Sequence, residues 1–265
     1  MSESKRYGDV EVTDVGGFVT VAEIQRAPNN FFDQALIASL ADAFADLDED
    51  PNCRVIVLAS EGKHFCAGAN FGSRERDAEQ AERTAESGNP LYNEAVRLFG
   101  NKKQVIAAVQ GAAVGGGFGL ALMPDFRVAC PEARFTANFV KLGFTPGFGL
   151  THTLPRMIGQ QAATDLFYTG RRIGGEEAHQ LGIVDRLVPQ DQVREAAIAY
   201  AREIAENAPL ALISLRKQMR GDLAAEVKKA TDVEGFEQFH LQRTNDHKEG
   251  VKAVAERRAG NFTGT

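Results

Sequence analysis

The stretch Gln110-Gly-Ala-Ala-Val-Gly-Gly-Gly-Phe-Gly-Leu-Ala121 follows an apolar run and places three consecutive glycines, Gly115 to Gly117, directly before a short apolar segment. This order predicts a strand, a tight turn and a helix that begins at the glycines. Glycine permits a close approach of the backbone, and the first N–H groups of a helix have no partner within the helix. The turn is therefore suited to binding a phosphate or an oxyanion, although close packing of the helix would explain the same glycines.

Two further segments adjoin predicted strands. Lys63-His-Phe-Cys-Ala-Gly-Ala-Asn-Phe71 follows the apolar run at 54–59, and Val140-Lys-Leu-Gly-Phe-Thr-Pro-Gly-Phe-Gly149 follows the shorter one at 126–129. The runs at 54–59 and 104–109 are continuous but too short for helices, so we expect strands that are buried on both faces. The three glycine-containing loops should then lie where strands of a parallel sheet end.

The remaining apolar pattern alternates between strand and helix. Alternation in 10–15 and 18–24 predicts a hairpin with one solvent-exposed face at the edge of the sheet. The polar segment 71–88 has no apolar stripe and is expected to form a surface excursion in the position of a substrate lid. Helical spacing of apolar residues predicts helices over 33–47, 90–99, 160–169, 190–207 and 210–258, with a strand between 182 and 189.

Composition excludes several classes of protein. The chain has 265 residues, 43% of them hydrophobic, which is enough to bury a core, and it contains no linker that would divide it. A net charge of −6 without a basic block gives no indication of nucleic acid or an anionic membrane as a partner. Because no leader peptide or membrane-spanning segment is apparent, we expect a cytoplasmic protein.

The sequence does not match the motifs of other ligand-binding or catalytic loops. A phosphate-binding Walker loop requires lysine and then serine or threonine after its last glycine, and the dinucleotide pattern requires a glycine where Leu120 stands. The chain also lacks a Gly-x-Ser-x-Gly elbow and a His-Glu-x-x-His helix. The three cysteines, Cys53, Cys66 and Cys130, are widely spaced and are interpreted as packed apolar residues, although Cys66 adjoins a candidate site and a reactive thiol there is the alternative.

Taken in order, the three segments resemble the enoyl-CoA hydratase/isomerase, or crotonase, family. The resemblance extends from the Arg26–Asn30 turn to Glu249-Gly250. It implies an α/β fold in which a crotonase-like spiral of repeated ββα units spans residues 1–195. Residues 196–265 would form a C-terminal α-helical trimerisation region, so a homotrimer or a hexamer built as a dimer of trimers is expected.

The resemblance also implies a site for an acyl-coenzyme A substrate. The backbone N–H groups of Ala69 and Gly116 would form an oxyanion hole, a pair of donors that stabilises negative charge on a carbonyl oxygen. No cofactor is implied beyond the coenzyme A that the substrate carries. The residues expected to line the coenzyme A path and the acyl pocket are Arg26, Ala67, Gly68, Asn70, Phe71, Gly115, Gly119, Phe139 and Leu142.

The chain departs from the family where hydration needs carboxylates. Hydratases of this family carry glutamates at the positions of Gly119 and Phe139, and other branches carry an aspartate at the position of Gly147. None of these three side chains can transfer a proton. Hydration of a double bond requires a base for water and an acid for carbon, so the usual machinery is absent.

Three explanations remain open. In the first, a replacement acid or base is supplied by Glu94 or Tyr92 on the helix at 90–99, or by His152 beyond the third loop. Alternatively, the reaction needs only a stabilised enolate, as in isomerisation or decarboxylation, and a thioester hydrolase that uses the same oxyanion hole is a further alternative. The third explanation is an acyl-CoA-binding protein with little activity. A last pair, His240 and His247, is expected seven residues apart on one helix and is interpreted as surface or interface residues rather than a metal site.

Overall fold

A computed structural model describes residues 4–70 and 89–265. Its strands are β1 Ser4–Tyr7, β2 Val10–Asp14, β3 Val19–Ile24, β4 Val55–Ser60, β5 Gln104–Val109, β6 Ala112–Val114, β7 Phe126–Ala129, β8 Arg134–Thr136, β9 Arg172–Gly174 and β10 Arg186–Leu187. Its α-helices are α1 Gln34–Glu49, α2 Pro90–Phe99, α3 Gly116–Leu122, α4 Leu150–Ile158, α5 Gln160–Thr169, α6 Gly175–Gln180, α7 Val193–Ala205, α8 Pro209–Arg220, α9 Leu223–Leu241 and α10 Asn245–Ala255. Short 3₁₀ helices span Asn138–Leu142 and Gln190–Gln192.

Seven strands form the main sheet in the order β1-β2-β3-β4-β5-β7-β10. β1, β2 and β3 pair antiparallel, and every later neighbour is parallel. Every residue of β4 and β5 is buried, as predicted from their continuous apolar runs. The predicted hairpin is confirmed, but β1 lies outside it and forms the edge of the sheet. β1 escaped prediction because its residues are polar and mostly exposed.

A second, smaller sheet carries the glycine-rich turn. β6 pairs parallel with β8, and β8 pairs antiparallel with β9. The loop that follows β4 extends this sheet, because Cys66 forms a parallel bridge with Ala113 of β6 and Ala69 forms another with Phe32. The first two sequence loops are thus neighbours in one layer.

The C-terminal quarter is helical, as predicted, but it is divided more finely. α8 and α9 are separated at Gly221, and α9 and α10 at 242–244. His240 therefore lies in α9 and His247 in α10, so the prediction that they share one helix is wrong. The Thr244 side chain accepts a hydrogen bond from the His247 N–H and starts the new helix, a local signal that apolar periodicity does not register.

A buried ionic cluster ties α8 to the sheet. Asp125, just before β7, accepts hydrogen bonds from Arg216 at 2.8 Å and from Arg220 at 2.9 Å. The same carboxylate accepts from the Val105 N–H of β5 at 2.8 Å. Because both arginines belong to α8, one side chain fixes this helix to the sheet.

The helix α9 buries polar side chains and exposes apolar ones. Its buried residues include Thr231, Glu234 and Gln238, whereas Val233 and Phe236 are exposed at 64% and 50%. A helix that turns its apolar side outwards and its polar side inwards must use hydrogen bonds rather than apolar burial for its contacts with the core. Within the described residues, no helix is both long and apolar enough to cross a membrane.

Candidate active site

The loop after β4 is held in an extended form between two neighbours. On one side the Cys66 N–H donates to the Ala112 carbonyl at 2.9 Å and the Val114 N–H donates to the Cys66 carbonyl at 3.0 Å. On the other side the Phe32 N–H donates to the Gly68 carbonyl at 3.0 Å. These bonds fix the loop against both the glycine-rich turn and the start of α1.

The register of this loop puts Ala69 and Gly116, whose N–H groups are the two predicted donors, at matching positions along two parallel segments. Cys66 pairs with Ala113, and Ala69 and Gly116 each lie three residues further along their parallel segments. A β-carbon on Gly68 would lie 3.9 Å from the Gly116 nitrogen, which confirms that the two turns touch. Within residues 4–70 and 89–265, neither the Ala69 N–H nor the Gly116 N–H donates a hydrogen bond. The structure thus offers two neighbouring backbone donors at the ends of parallel segments, the part of an α/β sheet where ligands commonly bind.

Close packing also requires the glycines of the turn. A β-carbon on Gly116 would overlap the ring of Phe32, with Cε1 at 2.6 Å, and one on Gly117 would approach the Cys66 carbonyl carbon at 2.9 Å. Gly115 adopts a φ of +57°, which favours glycine on conformational grounds. Packing and ligand binding, the two explanations left open for these glycines, are therefore compatible.

The third loop closes over α3. Phe148 is fully buried with a φ of +62°, a conformation that costs a bulky residue about 1–3 kcal/mol and persists only when its surroundings hold it. Its ring centroid lies 5.7 Å from that of Phe32. A β-carbon on Gly119 would approach the Phe148 Cβ at 2.8 Å, so a glutamate could not be placed at 119 without a shift of this loop.

Phe139 and Leu142 border the same region. The Phe139 Cζ lies 3.7 Å from the position of a β-carbon on Gly115, and the ring packs edge-on against Phe144 at 5.5 Å. The carbonyl of buried Leu142 accepts a hydrogen bond from His247 Nδ1 at 2.7 Å. An apolar ring thus faces the glycine turn from the position where the family's second glutamate is expected.

Of the three predicted acid or base candidates, Tyr92 is placed beside the third loop. Its hydroxyl occupies the space that a β-carbon on Gly147 would need, and it donates to Gln238 Oε1 at 2.7 Å. An aspartate at 147 would therefore collide with this hydroxyl. A phenol lies where other branches of the family carry a carboxylate.

The other two candidates point elsewhere. Glu94 forms an ion pair with Arg97 at 2.5 Å, and Arg97 also pairs with Asp42 of α1, so Glu94 belongs to a surface network between α1 and α2. His152 lies in the first turn of α4, and its imidazole contributes to lowering the pKa of Glu226, whose main partner is Lys229. Among the described residues, neither Glu94 nor His152 forms a hydrogen bond or an ion pair with the glycine-rich turn.

Some residues of the predicted coenzyme A path already have partners within the protein. The guanidinium of Arg26 is paired with Asp9 at 2.6 Å and Asp33 at 2.8 Å, so its charge is largely neutralised within the chain. Ala67 donates its N–H to the Asn29 carbonyl at 2.9 Å, and Asn70 is exposed. Phe71 and the predicted lid at 71–88 lie outside the described residues.

Burial makes Cys66 a poor nucleophile. The side chain is fully buried, and this burial raises the pKa of the thiol to about 12. Only a trace of thiolate is present near neutral pH at such a value. The interpretation of Cys66 as a packed apolar residue agrees with this environment, and the reactive alternative does not.

Two residues of α9 that were not predicted hold the third loop. Glu234 accepts hydrogen bonds from the Gly149 N–H at 2.8 Å, the Thr151 N–H at 2.9 Å and Thr151 Oγ1 at 2.6 Å. Burial raises the pKa of this carboxyl, while the three hydrogen bonds act in the opposite direction. Gln238 donates to the Thr145 carbonyl at 2.9 Å.

A helical spacing in the sequence does mark these two residues, but the residues at that spacing are mostly polar. The buried positions 227, 231, 234 and 238 follow the 4-3-4 spacing of a helix face. Only Val227 among them is apolar. A search for apolar periodicity therefore selects the opposite side of α9.

The structure also contains a cavity that lies outside the predicted site. It has a volume of about 340 Å³ and lies at the carboxyl ends of β3, β4 and β5. Its polar lining includes Glu23, Glu61, Gln110 and Arg194, and no predicted site residue contributes to it. Within this lining, Glu23 and Arg194 are paired with each other. Among the described residues there is also no group of three or more His, Cys, Asp or Glu side chains arranged to bind a metal ion.

Comparison with known proteins adds independent findings. A family model described as enoyl-CoA hydratase/isomerase matches residues 16–265. The (E)-benzylidenesuccinyl-CoA hydratase of Thauera aromatica is 34% identical over 263 residues, which cover 96% of this chain and 98% of the relative. The 1,2-epoxyphenylacetyl-CoA isomerase of Escherichia coli strain K12 is 31% identical over 237 residues, which cover 89% of this chain and 90% of the relative.

Solved structures agree in fold. The crystal structure of an enoyl-CoA hydratase/isomerase from Pseudoalteromonas atlantica T6c superposes with a TM-score of 0.84 at 26% identity, covering 96% of this chain and 100% of the other. One relative is named a hydratase and another an isomerase, so the reaction of this chain has to be argued from its own residues.

Proposed function

Because the chain belongs to the enoyl-CoA hydratase/isomerase family, we propose that it polarises the thioester carbonyl of an acyl-coenzyme A between the amides of Ala69 and Gly116 and stabilises the resulting enolate. The observation that carries this proposal concerns the N–H groups of Ala69 and Gly116. They stand at matching positions on two turns that contact each other, and within the described residues neither donates a hydrogen bond. Such donors are uncharged and fixed in place, and they stabilise charge most strongly where water is scarce.

The proposed reaction is an isomerisation or another reaction of the enolate, rather than hydration by two glutamates. Gly119 and Phe139 provide no carboxylate, and the β-carbon space at Gly119 and Gly147 is filled by Phe148 and Tyr92. Isomerisation moves a proton between carbons of the acyl chain and requires one proton-transferring group, whereas hydration must also activate a water molecule. We assign the proton-transferring role to Tyr92, because its hydroxyl is the only ionisable group of the three candidates that reaches the position of a side chain at Gly147 in the described structure.

Substrate contacts follow from the same placement. The acyl chain would lie against Phe139, Leu142 and Phe148, and coenzyme A would follow the loop from Ala67 to Asn70. The thioester carbonyl makes the neighbouring carbon acidic once its charge is stabilised, so the proposed chemistry needs no metal or redox cofactor and no coenzyme other than the one the substrate carries.

A pair of substitutions at one position tests the oxyanion hole. Ala69→Pro removes the N–H without adding a β-carbon, whereas Ala69→Gly keeps the N–H and serves as the control. We expect the proline variant to lose about 10² to 10³ in kcat, the typical effect of removing one oxyanion donor, and the glycine variant to stay close to wild type. The measurement is turnover of β,γ-enoyl and α,β-enoyl thioesters of coenzyme A. Equal activity of the two variants would contradict the proposed role of this amide.

Deuterium exchange separates the candidate reactions. In heavy water, an enolate-forming enzyme should incorporate deuterium at the α-carbon of acyl-CoA without net hydration, and Tyr92→Phe should abolish this exchange while acyl-CoA still binds. Deuterium exchange that survives in Tyr92→Phe would exclude this role for Tyr92. Binding without any exchange in the wild type would favour a catalytically weak acyl-CoA-binding protein, and release of free coenzyme A would favour a thioester hydrolase.

A further inference from the structure

The inward polar face of α9 contacts the third loop at two places, 145 and 149–151. Glu234 and Gln238, one helical turn apart, are only 3% and 2% exposed. Neither residue belongs to the substrate-facing set predicted from the sequence. Both side chains hydrogen-bond to this loop, and Gln238 also accepts a hydrogen bond from Tyr92 of α2.

The Glu234 carboxylate caps the start of α4. It accepts from two backbone N–H groups and one hydroxyl, those of Gly149 and Thr151, at 2.6 to 2.9 Å. N–H groups at a helix start have no partner in the helix, and a carboxylate satisfies them strongly. This cap comes from a helix more than 80 residues away in sequence, so it fixes α4 and the preceding loop relative to α9.

The fixed residues adjoin the strained one. Phe148 has its left-handed conformation immediately before Gly149, and its ring and β-carbon pack on Phe32 and over Gly119. A bulky residue relaxes from such a conformation unless its neighbours are fixed. The bond from Gly149 to Glu234 supplies that constraint on the C-terminal side of Phe148.

Gln238 fixes the other end of the loop. Its Nε2 donates to the Thr145 carbonyl at 2.9 Å, and its Oε1 accepts from the Tyr92 hydroxyl at 2.7 Å. The first bond determines which end of the amide faces Tyr92, so that the phenol meets an oxygen. Gln238 thereby sets the position of both the loop and the Tyr92 hydroxyl.

We propose that Glu234 and Gln238 are positioning residues that hold the 145–151 loop, and with it Phe148, in the form that the acyl chain of the substrate contacts. This inference rests on the proposed function, because the loop is an acyl contact only if acyl-CoA is bound between the loops described. Neither side chain touches substrate in this arrangement; both act through the loop.

The test compares two chemically identical changes on one helix. Glu234→Gln replaces a carboxylate that accepts three hydrogen bonds, and Glu237→Gln changes an exposed neighbour. Amide hydrogen exchange should be faster by about tenfold or more at Gly149 and Thr151 in Glu234→Gln and unchanged in Glu237→Gln. Unchanged exchange at both amides in Glu234→Gln would overturn the proposal.

Ligand affinity supplies a readout that a general loss of structure would not reproduce. Loosening of the loop should weaken binding of butyryl-CoA by about tenfold or more while free coenzyme A, which lacks the acyl chain, binds with less than about a twofold change. A parallel loss of both affinities would indicate general destabilisation and overturn the positioning role. If Glu234→Gln fails to fold, Gln238→Met provides the same comparison at the other end of the loop.

The two proposals fail in different ways. If the wild type binds butyryl-CoA no better than coenzyme A, the proposed acyl site is wrong, and the positioning role falls with it whatever the exchange data show. If acyl preference is present in the wild type and is retained in both Glu234→Gln and Gln238→Met, the acyl site stands and the positioning role is wrong.

Discussion

Cys66 illustrates how strongly one side chain depends on its surroundings. It belongs to the loop that carries Ala69, yet its sulfur lies under α3, 2.9 Å from where a β-carbon on Gly117 would be. A thiol in this place remains protonated because the surrounding apolar atoms cannot solvate a thiolate.

Native and unfolded protein should therefore differ sharply in thiol labelling. We expect iodoacetamide at pH 8 to label essentially none of Cys53, Cys66 and Cys130 in the folded protein and all three in denaturant. Burial raises the pKa to about 11 at Cys53 and about 12 at Cys66, and it also raises the pKa of Cys130. Mass spectrometry counts the adducts. Because burial favours the neutral thiol, raising the pH towards 10 should increase labelling only slightly, and rapid labelling of Cys66 at pH 8 would contradict this assignment.

Sequence alone could name candidate side chains but could not choose between them. Ala69 and Gly116 were predicted from motif positions, and the structure brings their turns together, although their role stays a prediction. Tyr92, Glu94 and His152 were equivalent candidates because they are close to the motifs along the chain. In the structure they differ because only the Tyr92 hydroxyl, of these three side chains, occupies the β-carbon space at Gly147, a contact between distant parts of the chain that no local pattern carries.

Among helices and strands, predictions were best where the pattern is apolar and long. α2, β5, β7 and α5 have the predicted bounds, and each of them carries buried apolar residues at the spacing from which it was predicted. The strand expected at 182–189 is only the two residues of β10, and the helix expected from 190 begins with a 3₁₀ turn. At these positions hydrogen bonds to neighbours, rather than apolar burial, decide the backbone conformation.

The attachment of α8 provides an element-level prediction. Asp125→Asn should lower the free energy of unfolding by about 3 kcal/mol, because it leaves two nearly buried arginines without their carboxylate. The matched control is Asp232→Asn, which breaks an exposed i,i+4 pair with Lys228 and should change stability by no more than about 0.5 kcal/mol. Urea denaturation measures both. Equal effects would show that the buried cluster contributes no more than a surface pair.

For the protein as a unit, the outward apolar side of the C-terminal helices is the main unexplained surface. Leu210 and Met219 of α8 are 80% and 71% exposed, in addition to Val233 and Phe236 of α9. Exposed apolar residues on adjacent helices mark an association surface more often than a free one. The α/β fold is confirmed by the solved structures, whereas the trimer implied by the family remains a prediction.

Assembly can be measured directly. We expect a native mass near 86 or 172 kDa, about three or six times the chain mass of 28.7 kDa. Phe236→Glu should shift the protein towards monomer, because a charge would be buried without a partner at the interface. Phe18→Glu makes the same change on an exposed residue before β3 and should leave the mass unaltered. A monomeric wild type by light scattering would exclude the expected trimer.

Phe148 and Tyr92 fill the space beside Gly119 and Gly147, and this restricts which substitutions the protein can accept during evolution. A single codon change that introduced an acid at either glycine would place its β-carbon against Phe148 or Tyr92 and would lower stability. An acid at either position therefore requires a compensating replacement at the contacting aromatic residue. Steric epistasis between these paired positions limits which single substitutions the fold can accept.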